Sequence, residues 1–395
     1  MSDHDQDPED TLLAPRLRGL GTTIFAEMSA LAVATQSVNL GQGFPDTDGP
    51  DVVREAAIEA IRAGRNQYPP GIGVPELRHA VTEHQRRFYG LEYDPDTEVL
   101  ITTGATEAIT ASLLALVDSG DEVIALEPYY DSYVAAISMA GGVRVPITLR
   151  PPDFRLDVDA LRRAVTPRTR LLLINSPHNP TGTVLDDTEL AAIAELAVER
   201  DLVVVTDEVY EHLTYDDAVH RPLATYPGMR DRTVTISSGG KTFSFTGWKI
   251  GWVCSTPSLV NAVMTAKQFL SYVSGAPFQP AIAKGLPLGD EFYADLRQSL
   301  QKKRDRLCEG LRQVGLEVFV PQGTYFVTTD IRSIGAEDGV RFCLSLPERC
   351  GVVAVPHQVF YDHVEMGRPL VRWAFCKRDD VLDEAIDRLR AGLRT

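Results

Sequence analysis

Short aliphatic runs alternate with amphipathic stretches through the middle of the chain, between about residues 98 and 240. Runs that are apolar at nearly every position, and that are separated by helices, predict parallel strands covered on both faces of a sheet. The pattern therefore predicts an α/β fold. The predicted strands lie at residues 99–102, 123–126, 171–174, 202–206 and 234–237. The intervening helices are predicted at residues 107–117, 132–140 and 188–200.

The pattern changes beyond about residue 285, where one long helix at residues 292–314 precedes several short strands. Such a mixture predicts a smaller α+β unit. Its strands are predicted at residues 318–320, 325–329, 352–355 and 370–375, and its later helices at 340–346 and 381–393.

Helical spacing also predicts three helices ahead of the parallel region. The first begins behind Thr22 and Thr23, either of which can cap it, and the others occupy residues 50–63 and 75–90. We predict a large domain at residues 45–285, a discontinuous small domain at 12–44 and 286–395, and a disordered acidic tail at 1–11.

The composition is that of a soluble globular protein, with 395 residues of which 44% are hydrophobic and 24% charged. No uninterrupted apolar run exceeds five residues, so no membrane span is predicted. The net charge of −16 disfavours nucleic acid and anionic membranes as partners. Five scattered cysteines and an acidic start without a targeting peptide predict a cytoplasmic location.

Several familiar motifs fail when their spacing is checked. Gly240-Lys241-Thr242 matches the end of a phosphate-binding loop, but the first glycine of that motif is replaced by Thr235. The dinucleotide fingerprint fails because Asp46 and Glu76 occupy its third glycine position. The zinc-protease motif HExxH does not occur, and no metal site is predicted.

Four polar features follow or interrupt predicted strands. They are the turn-rich segment 175–182, Asp207, the glycine-rich segment 237–252 around Lys241, and Arg372. Each has an ordinary structural explanation, such as a turn, a helix cap, a surface lysine or an edge-strand charge. Together they supply a Schiff-base lysine, an acid for a pyridinium nitrogen, phosphate donors and a cation for a carboxylate. Those are the groups that pyridoxal 5′-phosphate chemistry requires.

Over essentially its whole length the chain resembles the class I and II pyridoxal-phosphate-dependent aminotransferases. Residues 39–46, residues 66–68 and Lys249 resemble the kynurenine and glutamine transaminases. Residues 23–32, 272–280 and 375–380 more closely resemble actinobacterial N-succinyldiaminopimelate aminotransferases. The resemblance implies the type I fold, with a mostly parallel seven-stranded sheet between helices and a smaller α+β domain.

The resemblance also implies the catalytic roles. Lys241 is implied to form the Schiff base and to move the proton between the substrate α-carbon and C4′ of the cofactor. Asp207 is implied to pair with the ring nitrogen and to keep it protonated. Tyr210 and Asn179 are implied to bind the phenolic oxygen of the ring.

Other residues are implied to hold the cofactor. The phosphate ligands would be Gly104, Ala105, Thr106, Ser238 and Lys249. The first three open a predicted helix, whose free N–H groups favour an anion. Tyr130 is implied to stack on the ring, although sequence physics alone does not separate it from Tyr129. Tyr68 is implied to reach the phosphate of a partner subunit, which implies a homodimer with shared sites.

The implied substrate site centres on Arg372, which would bind the α-carboxylate through two parallel hydrogen bonds. Asn175 and the Gly43 backbone would assist. The candidates for lining the side-chain pocket are Phe25, Phe44 and Tyr272. Kynurenine-type enzymes have a histidine where this chain has Val273, which argues against their substrate preference.

The implied function is ping-pong transfer of an amino group between an amino acid and a 2-oxo acid. N-succinyl-L,L-diaminopimelate with 2-oxoglutarate, in lysine biosynthesis, is the favoured pair. The alternatives are a kynurenine or glutamine transaminase, a cysteine-S-conjugate β-lyase, or a transcription regulator that reuses the fold. A distal substrate carboxylate would need a further cation, for which the candidates are Arg16, Arg18, Arg78 and Arg86.

Overall fold

The computed structural model describes residues 12–20 and 23–393. The segment 1–11, predicted to be a disordered tail, lies outside the described residues, as does Thr22. No helix within the described ranges is both long enough and apolar enough to span a membrane.

The described residues form helices and strands that alternate along most of the chain. The helices are α1 Ile24–Thr35, α2 Asp51–Arg62, α3 Pro75–Tyr89, α4 Gly104–Leu116, α5 Asp131–Ala140, α6 Val158–Ala164, α7 Asp187–Glu199, α8 Gly239–Thr242, α9 Pro257–Lys267, α10 Phe278–Gly285, α11 Asp290–Gln313, α12 Gly339–Cys350, α13 Val364–Gly367 and α14 Asp379–Leu393. The strands are β1 Val38–Asn39, β2 Val99–Thr103, β3 Glu122–Glu127, β4 Val143–Thr148, β5 Thr169–Asn175, β6 Val203–Asp207, β7 Thr233–Ser238, β8 Ile250–Cys254, β9 Glu317–Phe319, β10 Phe326–Asp330, β11 Val352–Val353, β12 Val355–Pro356 and β13 Leu370–Ala374.

The large sheet has seven strands in the order β2-β8-β7-β6-β5-β3-β4. The pairs from β7 to β4 are parallel, and β8 runs antiparallel to both of its neighbours. The predicted fold class, a mostly parallel seven-stranded sheet between helices, is therefore confirmed. Because β5, β6 and β7 are parallel neighbours, the residues that end them, Asn175, Asp207 and Ser238, meet at one edge of the sheet.

Helices cover both faces of this sheet because the strands are apolar at successive positions. Leu171 and Leu173 pack with α4, α5 and α9 on one face, whereas Leu172 and Ile174 pack with α6 and α7 on the other. Successive side chains of a strand point to opposite faces, so a continuous apolar run must be buried on both.

The smaller unit is built on an antiparallel sheet of order β12-β13-β10-β9. Its core also takes in the N-terminal segment, since β1 pairs with β11 and Met28 of α1 packs in the same cluster as Cys343 and Leu389. This packing is what a discontinuous small domain requires. The boundaries at residues 44/45 and 285/286 stay predictions.

Several helix ends follow the predicted local signals. The Thr23 side chain accepts a hydrogen bond from the Ala26 amide and so caps α1. Pro75 begins α3, and Gly90, at φ +68°, ends it. Helix α4 begins at Gly104 rather than at the predicted residue 107, which places three more residues in its first turn.

The first turn of α4 lies directly against β8, and Gly251 makes that approach possible. A Cβ added at Gly251 would lie 2.6 Å from the carbonyl carbon of Gly104 and 2.8 Å from the Ala105 nitrogen. Both atoms belong to the backbone, so neither can rotate away. The start of α4 is thereby held beside the edge of the sheet where β7 ends.

We expect Gly251→Ala to destabilise the protein by about 1–3 kcal/mol, because the added methyl group overpacks a backbone contact. Denaturant unfolding followed by circular dichroism would measure the change. Gly247→Ala is the matched control, since a Cβ there meets nothing within 4 Å and should change stability by less than about 0.5 kcal/mol. Equal stability of the two variants would contradict the assigned contact.

Candidate active site

A cavity of about 940 Å³ opens where β5, β6 and β7 end. The large sheet contributes Asn175, Asp207 and Ser238 to its wall, and the smaller unit contributes Arg372. Polar groups at the carboxyl ends of parallel strands are the usual place for a ligand in an α/β sheet. The four strand-associated features singled out in the sequence thus converge on one cavity.

Lys241 lies in the single turn of α8, immediately after β7. Its Nζ donates to the Tyr325 hydroxyl at 2.9 Å and lies 3.4 Å from the Gly43 carbonyl oxygen. Desolvation in the cavity lowers the pKa of Lys241 to about 8, against the opposing influence of Asp207. A larger fraction of this lysine than of an ordinary lysine is therefore a neutral amine, and a nucleophile, near neutral pH.

Asp207 ends β6 and is buried. One carboxylate oxygen accepts a hydrogen bond of 2.6 Å from the Tyr133 hydroxyl, and the other accepts from the Val209 amide at 3.4 Å. Burial raises the pKa of Asp207, while the hydrogen bond from Tyr133 lowers it again. A cation facing this carboxylate would offset the cost of burying its charge.

The start of α4 offers hydrogen-bond donors to an anion. No side chain of the described residues caps this helix at Thr103, so the first amides of its 13 residues face the cavity uncapped. Gly104 has a φ of +71°, and a Cβ there would come within 3.2 Å of the Lys249 Nζ. Lys249 Nζ in turn lies 3.4 Å from the Thr106 hydroxyl. This cradle, formed by Gly104, Ala105, Thr106 and Lys249, has the charge and the donors that a phosphate needs.

Arg372 stands on β13, an interior strand of the antiparallel sheet, and its residue is 1% exposed. Its guanidinium lies 4.0 Å from the centre of the Phe326 ring and 4.9 Å from that of Phe25. Burial lowers the pKa of Arg372 to about 10. One terminal nitrogen donates to the Asn179 side chain and the other to the Gly41 carbonyl, whereas Nε meets no acceptor among the described residues. A buried cation with a donor left over is suited to a carboxylate.

The segment after β5 is braced by its own side chains. Asn175 donates from its amide nitrogen to the Asp207 carbonyl and accepts from the Asn179 amide through its oxygen. Both the nitrogen and the oxygen of the Asn175 side-chain amide are therefore hydrogen-bonded to backbone groups. Its predicted contact with substrate stays a prediction, while the structure gives it a clear part in placing Asp207 and Asn179.

The structure separates two neighbouring tyrosines that the sequence leaves equivalent. Tyr130 lines the cavity, whereas Tyr129 is 2% exposed and packs in the core behind it. Tyr210, Phe25 and Phe44 also line the cavity. These placements agree with a ring-binding role for Tyr130 but do not themselves show one.

Tyr68 and Tyr272 are not among the residues that line the cavity. They are 80% and 51% exposed, and their rings meet edge to face with centres 5.4 Å apart. Two large aromatic side chains held together at the surface are unusual unless another surface covers them.

Two residues that the sequence does not single out contact the candidate catalytic groups. Tyr133 hydrogen-bonds Asp207, and Tyr325 hydrogen-bonds Lys241. Both are buried at 1–2% exposure and lie in apolar surroundings. In the sequence they look like ordinary core aromatics, because Tyr133 lies in a predicted helix and Tyr325 begins a predicted strand.

A second polar cluster lies in the interior, where His84, Glu211 and His212 have ligand atoms within 4.8 Å of one another. The two histidine Nε2 atoms are 2.7 Å apart, closer than the roughly 3.3 Å that tetrahedral zinc bonds would impose. Both Glu211 oxygens accept hydrogen bonds, from Tyr89 and Ser237. Burial lowers the pKa of both histidines. The cluster is therefore a hydrogen-bonded network of neutral imidazoles around a carboxylate.

The donors in the cavity fit pyridoxal phosphate. The uncapped start of α4 suits its phosphate, and the buried Asp207 suits a protonated ring nitrogen. Lys241 supplies an amine of lowered pKa in the same cavity. Arg372, with its unused Nε, remains for a second anionic group.

Comparison with known proteins gives a consistent result. A sequence model of the family described as aminotransferase class I and II matches residues 35–389. The chain is 56% identical over 384 residues to a probable N-succinyldiaminopimelate aminotransferase of Mycobacterium tuberculosis, covering 95% of this chain and 97% of that protein. It is 40% identical over 376 residues to the methionine aminotransferase of Escherichia coli, covering 95% and 97%.

Solved structures agree with this result. N-succinyldiaminopimelate aminotransferase from Mycobacterium tuberculosis superimposes with a TM-score of 0.94 at 57% identity, over 96% of this chain and 99% of that chain. Aspartate aminotransferase from Thermus thermophilus with maleate superimposes with a TM-score of 0.88 at 34% identity, over 96% and 98%.

We expect Lys241 in cofactor-free protein to lose its proton with a midpoint near pH 8, because desolvation disfavours its charged form. The pH dependence of its modification by an amine-reactive reagent, read by peptide mass spectrometry, would give that midpoint. In urea-unfolded protein the midpoint should return to about 10.4. A folded-state midpoint near that value would contradict the assigned environment.

Proposed function

The chain belongs to the class I and II aminotransferase family, and we propose that it transfers an amino group between N-succinyl-L,L-diaminopimelate and 2-oxoglutarate in lysine biosynthesis. Enzymes of this family depend on pyridoxal phosphate and work by a ping-pong mechanism. The chain is accordingly a pyridoxal-phosphate-dependent transaminase.

The observation that supports the site assignment most strongly is the meeting of Lys241, Asp207 and Arg372 in one cavity. Each belongs to a different strand end or strand, and any two of the three lie 34 to 165 residues apart in sequence. All three have pKa values shifted by burial. Perturbed titratable groups gathered in a cleft mark functional sites, because structural charges more often pair off at the surface.

Bound pyridoxal phosphate supplies an electron sink for the negative charge that develops at the substrate α-carbon. Asp207 would hold a proton on the ring nitrogen, and Tyr133 would orient that carboxylate through its 2.6 Å hydrogen bond. The free amine of Lys241 would take the proton from the α-carbon and return it at the neighbouring carbon. Its lowered pKa suits both directions of transfer.

Arg372 would orient the substrate through its α-carboxylate. The guanidinium is already fixed by Asn179 and the Gly41 carbonyl, and the rings of Phe25 and Phe326 exclude water around it. The low local dielectric strengthens the electrostatic attraction between the guanidinium and a carboxylate bound there. Because the arginine is ordered in advance, little side-chain entropy is lost when substrate binds.

The distal part of the proposed substrate carries carboxylates that need a further cation. Arg78 pairs with Asp96 and Arg86 with Glu83, and neither lines the cavity. Arg16 and Arg18 come shortly before Gly19 and Leu20 in the chain, and both of those residues line the cavity. We therefore place the distal carboxylates toward residues 16–20, and the name of the 56% identical relative supports this choice of substrate.

A panel of half-reactions tests the substrate. Purified enzyme in its pyridoxal form is mixed with N-succinyl-L,L-diaminopimelate, glutamate, methionine, kynurenine or glutamine, and conversion to the pyridoxamine form is followed by absorbance. We expect the first two donors to give the highest second-order rate constants. A preference for methionine, kynurenine or glutamine would replace the proposed substrate. Pyruvate release from a cysteine conjugate without an oxo-acid acceptor would reveal β-lyase activity.

We further propose a homodimer in which Tyr68 and Tyr272 of each chain complete the site of the other. The segments that carry the two tyrosines are joined on their own chain, since the buried Lys267 donates to the Tyr272 carbonyl at 2.6 Å and to the Gly71 carbonyl at 2.9 Å. Phe269, beside them, is 84% exposed. A rigid aromatic surface of this kind is expected to be covered by a second copy.

Hybrid dimers test the shared site. Lys241→Ala chains and Tyr68→Ala chains, each with a different tag, are coexpressed and the doubly tagged dimer is purified. In the hybrid, one site combines an intact Lys241 with the intact Tyr68 of the other chain, so we expect its kcat/KM to exceed that of both parent dimers. Activity no higher than the better parent would place Tyr68 outside the partner's site.

A further inference from the structure

Tyr325 lies directly before β10 and brings its hydroxyl to the reacting atom of Lys241. The residue is 1% exposed, and its oxygen is 2.9 Å from the Lys241 Nζ. The same oxygen is in hydrogen-bond contact with the Gly43 carbonyl. A tyrosine that touches both the catalytic amine and the proposed substrate loop has a position that packing alone does not require.

The hydrogen bonds around this phenol have a fixed direction. The Gly43 carbonyl can only accept, so the single phenolic proton is donated to it, and the remaining lone pairs face Lys241. Burial raises the pKa of Tyr325 well above its ordinary value, which keeps that proton on the phenol. Lys241 must therefore donate an N–H to Tyr325.

The surrounding residues hold the phenol in this position. The Tyr210 ring meets the Tyr325 ring edge to face with centres 5.2 Å apart, and Phe326 lies on another side at 4.9 Å. Gly43 permits the close approach of its loop, because a Cβ there would lie 2.5 Å from the Phe326 ring and 3.3 Å from that of Tyr325. The hydroxyl thus has little freedom to turn away from Lys241.

A neutral lysine amine has two N–H donors and one lone pair. In this site the two acceptors nearest Nζ are the Tyr325 oxygen at 2.9 Å and the Gly43 carbonyl at 3.4 Å. If each takes one N–H, the lone pair is directed away from both of them. The lone pair is the part of the amine that accepts a proton or attacks carbon.

We propose that Tyr325 is a further catalytic residue, whose hydroxyl accepts a hydrogen bond from the Lys241 amine and so directs the lone pair of that amine away from Tyr325 and Gly43, where it is free to take the substrate α-proton. The amine takes the substrate α-proton through that lone pair, becomes an ammonium, and releases the proton at the neighbouring carbon. It then returns to the neutral amine. The phenolic proton stays on the Gly43 side throughout, so Tyr325 orients the transfer without being consumed.

This role rests on the transaminase activity of the family and is independent of which amino donor is physiological. Other charged or titratable groups also influence Lys241, namely Asp207, Cys376, Lys249 and Arg372. The hydroxyl differs from these groups because it is in direct hydrogen-bond contact with Nζ. Removing it should therefore alter proton transfer more than it alters cofactor or substrate binding.

Tyr325→Phe tests the role, with Tyr215→Phe as the matched control. Tyr215 is also 1% exposed, lies in the same core cluster, and donates its hydroxyl to the Thr324 carbonyl. Each variant thus removes one buried hydroxyl that donates to a backbone carbonyl. Thermal unfolding is measured first, and both variants should lose a similar amount of stability.

The first functional readout is the single-turnover conversion of the pyridoxal form by a saturating amino donor. In Tyr325→Phe the rate constant should fall about tenfold or more, because the variant loses one hydrogen bond to an amine that becomes charged as it takes the proton. The apparent dissociation constant of the donor should change by less than about threefold, within the scatter of uninvolved sites. The isotope effect from α-deuterated donor should increase, since proton transfer becomes more rate-limiting.

The second readout uses cofactor-free protein and does not depend on turnover. The pH midpoint for modification of Lys241 should fall in Tyr325→Phe relative to wild type, because the ammonium form loses an acceptor. Tyr215→Phe should leave the midpoint and the single-turnover rate constant unchanged. An unchanged midpoint and rate constant in Tyr325→Phe, or equal changes in both variants, would overturn the proposal.

Discussion

Lys241 and Arg372 are two buried cations that line the same cavity, and the rest of the site depends on their burial. Burial lowers the pKa of both, to about 8 and about 10, so each positive charge is costly in the ligand-free protein. An anion that enters the cavity offsets part of the free-energy cost of these buried charges. Water in the cavity cannot offset that cost to the same extent. The net charge of −16 is therefore a poor guide to what the protein binds, because the few cations that matter lie inside and not on the acidic surface.

The parallel core of the fold was predictable because its strands are apolar at successive positions. The strands that escaped prediction lack that pattern. In β4 an arginine and a proline interrupt the apolar residues at the edge of the sheet, where one side is open. The short run of β8 follows directly on the glycine-rich lysine segment and reads as part of it. Its antiparallel direction depends on where the chain returns in space, which local periodicity does not encode.

The candidate site was predictable to the extent that charge in an apolar setting is visible in a sequence. Lys241, Asp207 and Arg372 stand out in this way, and the structure brings all three to one cavity. Tyr325 and Tyr133 could not be found by the same reasoning, because an aromatic residue beside a strand is usually part of the core. Their hydroxyl groups acquire a function only through three-dimensional contact with Lys241 and Asp207. The sequence likewise could not show which of Tyr129 and Tyr130 faces the cavity, because that depends on how the chain turns before α5.

The pairing of β1 with β11 also bears on how the chain is made. Residues 38–39 leave the ribosome early, whereas their partners at 352–353 are synthesised roughly 300 residues later. At about 5–20 residues per second, that interval is on the order of 15 to 60 s. All strands of the large sheet are synthesised before β11 exists, so β1 has no partner strand until that point. Arg372 is synthesised 131 residues after Lys241, so a nascent chain carries its lysine well before it carries the arginine of its carboxylate site.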